Sequence, residues 1–211
     1  MNKDKLTVCE TFPAIQGEGI TIGKPVQFLR LSYCSLRCPW CDTQYYNEGS
    51  IFSIDEVIKK LRDSGMKDIV ITGGEPMLQK EAMFNLMCSA DDLKYHLETN
   101  GTIYDDRMKK FDTISCSPKR FAKDNPEISN KLSKLENITY KFVYEPEINK
   151  WWEEYMNKYQ IGRDRIYIMP LGATREEQIK NMPEVIEYCI KNKYKFSARL
   201  QVIAYDTKRG V

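Results

Sequence analysis

The chain has 211 residues, room for one sizeable α/β core and short for two. Its 32 Lys and Arg against 30 Asp and Glu leave a net charge of +2, which excludes the strongly basic face that neutralises many phosphates, so nucleic acid is not an expected partner. No stretch approaches twenty apolar residues and residues 1–25 hold no apolar run of leader length, so no membrane association is expected and the reading is a cytoplasmic protein.

In chain order, TFPAIQGEGITIGKP (11–25) is rich in Gly and Pro and reads as an irregular loop or a loosely paired strand. Val26–Tyr33 alternates well enough for a strand and delivers the chain into CSLRCPWCDT (34–43). Ser53 then offers an N-cap, Glu56 stands three positions on, apolar residues fall at 54, 57, 58 and 61, and Gly65 stops the pattern, which predicts a helix. DIVITGGEP (68–76) is a β-branched run ending in a Gly-Gly bend, hence a buried strand with a functional-looking exit loop. The alternation recurs: helix over 79–90, strand and turn over 94–101 and again over 112–119, strand over 137–145, helix over 147–159, strand over 164–172, helix over 174–192, and a last strand FSARLQVI over 196–203. Strands alternating with helices imply right-handed crossovers and a parallel sheet. Ligands in that class gather in the loops after the strands' C-terminal ends, which here read CSLRCPWCDT, GGEP, ETNG, SCSPK and MPLG.

Seven cysteines, odd in number and unevenly spaced, argue for reduced thiols over a disulfide framework. Cys34, Cys38 and Cys41 follow C-x3-C-x2-C, one thiolate short of a closed tetrahedral zinc site. The single histidine, His96, sits inside a strand pattern where a core or surface role is expected. Thiolates suit iron–sulfur clusters as well as zinc, and a cluster held by three cysteines leaves one iron open to a small molecule. The other reading is a structural zinc knuckle completed by Asp42 or by a distant cysteine among Cys9, Cys88, Cys116 and Cys189. Those four read as small hydrophobes, with no chemistry assigned.

C-x3-C-x2-C after a first strand, Trp40 just before the third cysteine and GGEP after the next strand together resemble the radical S-adenosylmethionine (SAM) enzymes. That resemblance implies a [4Fe–4S] cluster on Cys34, Cys38 and Cys41, with SAM chelating the open iron and being cleaved on reduction to methionine and a 5′-deoxyadenosyl radical. The finer blocks QGEG (16–19), FLRLSYCSLRCPWCDT (28–43), TGGEPMLQ (72–79), ETNGT (98–102), SPK (117–119) and KRGV (208–211) resemble the 7-carboxy-7-deazaguanine synthase (QueE) family over nearly the whole chain. This implies a ring contraction of 6-carboxy-5,6,7,8-tetrahydropterin with loss of ammonia, on the way to queuosine and related deazapurines. The radical would abstract the C6 hydrogen and recover it after rearrangement, so that SAM is regenerated. It further implies Mg²⁺ bound through Thr43, a single-domain partial (β/α)6 barrel with reduced helices over residues 1–211, a flavodoxin or ferredoxin as reductant, and a homodimer.

Individual residues carry both kinds of reading. Gly73 and Gly74 let the backbone approach a ligand, and their carbonyls or Glu75 can take up the ammonium of SAM. Ser117 and Lys119, on a turn stiffened by Pro118, offer a hydroxyl and a cation for its ribose and carboxylate, and Trp40, Cys41 and Asp42 join the cofactor set by resemblance. Family match places Ile15, Gln16, Gly17 and Glu18 against the pterin, with Thr72 from the GGEP strand and the terminal Val211. Arg30 sits in an otherwise apolar strand, either paired with charge in the site or facing outward. Gln201 stands where family members carry His, and can both donate and accept. Trp151 and Trp152 belong either to a dimer surface or to a half-buried amphipathic helix. Two other readings stay open: a glycyl-radical activase, which shares the cysteine spacing and GGEP, and a non-enzymatic zinc module.

Overall fold

The computed structural model describes residues 3–39, 41, 43, 47–145 and 150–211. Among the described residues nine strands form one sheet: β1 (Lys5–Ile15), β2 (Pro25–Leu31), β3 (Ser50–Ser53), β4 (Asp68–Gly73), β5 (Lys94–Thr99), β6 (Thr113–Cys116), β7 (Ile138–Tyr144), β8 (Ile166–Pro170) and β9 (Lys195–Phe196). Their spatial order is β3-β1-β2-β4-β5-β6-β7-β8-β9. From β2 to β9 every neighbouring pair is parallel, while β1 runs antiparallel to both β2 and β3. The sheet does not close on itself, so the expected partial barrel is present with an antiparallel extension at one edge. Six helices of the described residues accompany it: α1 (Ile54–Arg62), α2 (Lys80–Ser89), α3 (Pro126–Ser133), α4 (Lys150–Lys158), α5 (Arg175–Asn192) and α6 (Leu200–Tyr205). The reduction of helices falls where β5 leads to β6, a crossover made only by a 3-10 turn, Asp106–Lys110.

Local chemistry accounts for most of these boundaries. Ser53 and Glu56 form the reciprocal capping box that starts α1, and Thr174 with Glu177 does the same for α5. The strand cores are continuous apolar runs, as a sheet covered on both faces requires. Ile69, Val70, Ile71, Ile114, Phe142 and Ile168 are all buried. Trp152 is fully buried and stacks on Phe142 with ring centroids 5.4 Å apart, and Trp151 meets the same ring edge-on. The tryptophan pair therefore packs α4 onto β7, the half-buried alternative.

Four elements differ from expectation. β1 is a long strand through Pro13, tolerated because β3 pairs only with its Lys5–Val8 half and leaves the rest as an edge. β3 and α3 carried no separate reading. The last strand, expected over 196–203, ends at Phe196. Ser197 still donates to the Ile168 carbonyl (2.9 Å), after which the chain leaves the sheet and forms α6. Leu200 N donates to Gly17 O (3.1 Å), and Arg199 and Gln201 both turn onto Glu18. The segment leaves the sheet because Arg199 and Gln201 turn onto one half-buried carboxylate, Glu18.

Candidate active site

The exit loops of β2, β4, β5, β6 and β8, together with the QGEG turn and the C-terminal segment, enclose a cavity of about 750 Å³, at the upper end of ligand-sized pockets. It brings together Ile15, Gln16, Gly17, Glu18, Arg30, Cys34, Cys38, Cys41, Thr43, Thr72, Gly73, Gly74, Ser117, Lys119, Gln201 and Val211. Trp40 and Asp42 lie outside the described residues. Glu75 does not line the cavity. It is fully buried and spends its oxygens on Met77 N (3.0 Å), Thr99 Oγ1 (2.8 Å) and Asn100 N (2.7 Å), tying the β4 and β5 exits together.

At the cysteine end, the chain turns out of β2 through Tyr33, whose φ of 73° is left-handed for a residue with a Cβ. Gly74 accommodates that turn: a Cβ there would lie 2.1 Å from Tyr33 O and 2.7 Å from Cys34 Cβ, and one on Gly73 would lie 2.0 Å from Leu31 O. Both glycines are thus demanded by the backbone that launches the cysteine loop, in addition to any approach of a ligand. Burial pushes the Cys38 thiol up and the neighbouring Cys41 and Cys34 add to this, while Lys119 and a backbone hydrogen bond oppose them. Three mutually repelling thiolates beside one ammonium need further positive charge, which an iron–sulfur cluster provides, so the donor set fits such a group. Asn100 points its amide at Cys34 Sγ from 4.0 Å, and Lys119 Nζ donates to Ser117 Oγ at 2.6 Å.

At the opposite end the floor is ionic. Glu18 accepts from Lys141 Nζ (2.6 Å), Arg199 Nε (3.0 Å) and Gln201 Nε2 (2.7 Å). Burial works against its charge, but Lys141 and Arg199 outweigh it and hold the carboxyl far below the usual range. Glu98 accepts from the same Lys141 (3.0 Å), with Gln16 Nε2 3.5 Å from its other oxygen. There burial and the Glu18 charge prevail over Lys141, and the carboxyl is raised. Gln201 Oε1 is buried with no hydrogen-bond partner among the described residues, an acceptor left over for a ligand. Gly17 is where this amide packs, since a Cβ would lie 1.8 Å from Gln201 Oε1. Arg30 faces the cavity: its Nε donates to Glu10 (2.7 Å), and Nη1 lies 3.4 Å from Thr43 Oγ1.

Glu98, Asn100, Lys141 and Arg199 had no role assigned from sequence. A lysine inside the run ITYKFVY was the available clue to Lys141, by the reasoning already applied to Arg30. His96 lies elsewhere, joined to Asp68 (2.8 Å) and Thr113 (2.9 Å). Of the remaining cysteines, Cys116 and Cys189 are buried, Cys9 is partly buried beside Arg209, and Cys88 is exposed. Among the described residues no helix is long and apolar enough to cross a membrane.

Residues 30–143 match the model of the radical SAM superfamily. The chain is 31% identical to the 7-carboxy-7-deazaguanine synthase of Rhodopirellula baltica over 99% of its own length and 90% of that protein. It is 29% identical to the synthase of Pyrobaculum aerophilum (98% and 97%) and 33% identical to that of Aquifex aeolicus (85% and 85%). Among solved structures, QueE from Escherichia coli superposes with a TM-score of 0.70 over 92% of this chain and 93% of that one, at 21% identity, a likeness of fold.

Proposed function

Because the chain belongs to the 7-carboxy-7-deazaguanine synthase family of the radical SAM superfamily, we propose that it converts 6-carboxy-5,6,7,8-tetrahydropterin into 7-carboxy-7-deazaguanine with loss of ammonia. The observation that carries this reading is one cavity with three thiols at one end and a carboxylate floor at the other, which suits a cluster-bound radical source facing a polar heterocycle.

Cys34, Cys38 and Cys41 would hold the [4Fe–4S] cluster, which would supply the one-electron chemistry for activating SAM. Trp40, Asp42, the carbonyls around Gly73 and Gly74, and the Ser117–Lys119 pair hold SAM, Lys119 meeting its carboxylate. Ile15, Gln16 and Gly17 line the slot for the flat ring. Glu18 accepts from its N–H edge, and Thr72 contacts it from β4. The substrate carboxylate lies toward Arg30, whose distance to Thr43 brings a hydroxyl suited to Mg²⁺ beside that charge. Val211 and the residues before it close the mouth. A single domain over residues 1–211, a flavodoxin or ferredoxin as electron source and a homodimeric assembly belong to the same proposal, on the strength of the resemblance.

The test is anaerobic: reconstitute with iron and sulfide, supply SAM, dithionite, Mg²⁺ and the pterin, and follow products by mass spectrometry. Many turnovers of 7-carboxy-7-deazaguanine without matching loss of SAM are expected. SAM cleavage with the pterin intact would point to an activase, and a colourless zinc protein to a binding module; either would refute the proposal.

A further inference from the structure

Lys141 sits in the middle of β7 with its side chain 8% exposed, and its ammonium joins Glu18, from the turn after β1, to Glu98, from β5. Glu18 has a second cation in Arg199. Resting on the synthase reading above, we propose that Lys141 is a positioning residue that keeps Glu18 and Glu98 both ionised in the cavity floor, so that each presents acceptors to the N–H-bearing edge of a guanidine-like heterocycle.

The argument is electrostatic and geometric. Two carboxylates in a site shielded from water do not both stay charged unless a cation lies between them. Lysine serves here because a compact ammonium with three donors reaches two separate carboxylates. Arg199 is committed to Glu18 Oε1 and the Gly172 carbonyl. The other groups around the pair are Gln16 from the QGEG turn, Gln201 from α6, and Ser115, Cys116 and Lys119 from β6 and its exit. With Lys141 gone, Glu98 loses the cation that opposes burial and the Glu18 charge, and so holds a proton to higher pH than in the wild type. An acceptor then becomes a donor, and an O–H meets the substrate's N–H.

The test compares Lys141→Met, Lys141→Arg and the double variant Lys141→Met/Glu98→Gln in the full-length, anaerobically reconstituted protein. Infrared difference spectroscopy against pH, without substrate, should show the protonated-carboxyl band persisting to higher pH in Lys141→Met than in the wild type or Lys141→Arg. With the pterin, the KM of Lys141→Met should rise about tenfold for each pH unit below the point where its Glu98 titrates, and fall back above it. Its kcat should stay within about threefold, and Lys141→Arg should remain pH-independent.

A folded Lys141→Met whose band does not persist to higher pH, a KM increase equal at every pH, or an equal loss in Lys141→Arg would overturn the proposal. The double variant removes a cation and a carboxylate together, so it is expected to fold even where Lys141→Met does not. Its KM should be raised at every pH, and a wild-type KM there would also overturn the proposal. Were the wild type to leave the pterin unchanged, the synthase reading would fail, while the infrared result would still decide what Lys141 does to Glu98.

Discussion

Gly74→Ala separates two reasons for a glycine at this position. The added methyl would lie 2.1 Å from Tyr33 O, whereas ordinary contact begins near 3.4 Å, so the two must part by roughly 1.3 Å. Tyr33 O is not free to retreat, because it accepts from Glu75 N at 2.8 Å. The alanine therefore costs that hydrogen bond, about 1 kcal/mol, together with about 1–3 kcal/mol of overpacking. A total of roughly 2–4 kcal/mol corresponds to about 4–16 °C in melting temperature for a chain of this size. The displacement bears directly on Cys34, whose Cβ is 2.7 Å from the same methyl position, so cluster occupancy should fall as well. The assay is thermal unfolding of the anaerobic protein alongside iron and sulfide per chain. A variant melting within about 2 °C of wild type, with full iron and only weakened SAM binding, would refute the backbone argument and leave ligand approach as the reason for the glycine.

Arg209→Ala should cost no more than about 1 kcal/mol of stability, since its ion pairs with Glu10 (2.9 Å) and Glu48 (3.1 Å) are partly exposed. Its substrate KM should nevertheless rise, because residues 206–211 line the cavity mouth; steady-state kinetics read the difference. Asn100→Ala removes an N–H dipole directed at Cys34, which should make the cluster's midpoint potential more negative in an anaerobic redox titration. Burial works against the Asp68 charge, but hydrogen bonds from Lys24 and His96 outweigh it and lower the carboxyl. A lowered folded value contributes stability above the unfolded pKa of about 4, and that contribution disappears as pH falls through the folded value. Denaturant unfolding should thus show the gap between wild type and Asp68→Asn closing as pH drops from about 6 to about 3.

The parts of the fold legible in the sequence were those with a local cause. The capping box at Ser53, the β-branched run of β4 and the cysteine spacing each lie within about ten residues and need no distant partner to be recognised. The 196–203 segment misled because Arg199 and Gln201 leave the sheet for Glu18, some 180 residues away. Glu75 was legible as a polar residue at a strand exit. Its inward turn depended on Thr99 and Asn100, which the sheet order places beside it.

The charges inside strands show where that limit lies. Arg30 and Lys141 each interrupt an apolar run, and burying either without a partner would cost far more than packing its aliphatic stem recovers. The sequence therefore states that a countercharge must exist without saying which residue supplies it. For Arg30 the answer is Glu10, across the antiparallel β1–β2 pair, and for Lys141 it is Glu18 and Glu98, from 123 and 43 residues earlier. Arg30, Lys141, Glu18 and Glu98 all line the cavity, where the strands' exit ends converge and a ligand can exploit charge already held in place. A cation that interrupts an apolar strand run is thus a pointer to the site itself; Arg30 was followed from sequence and Lys141 was passed over.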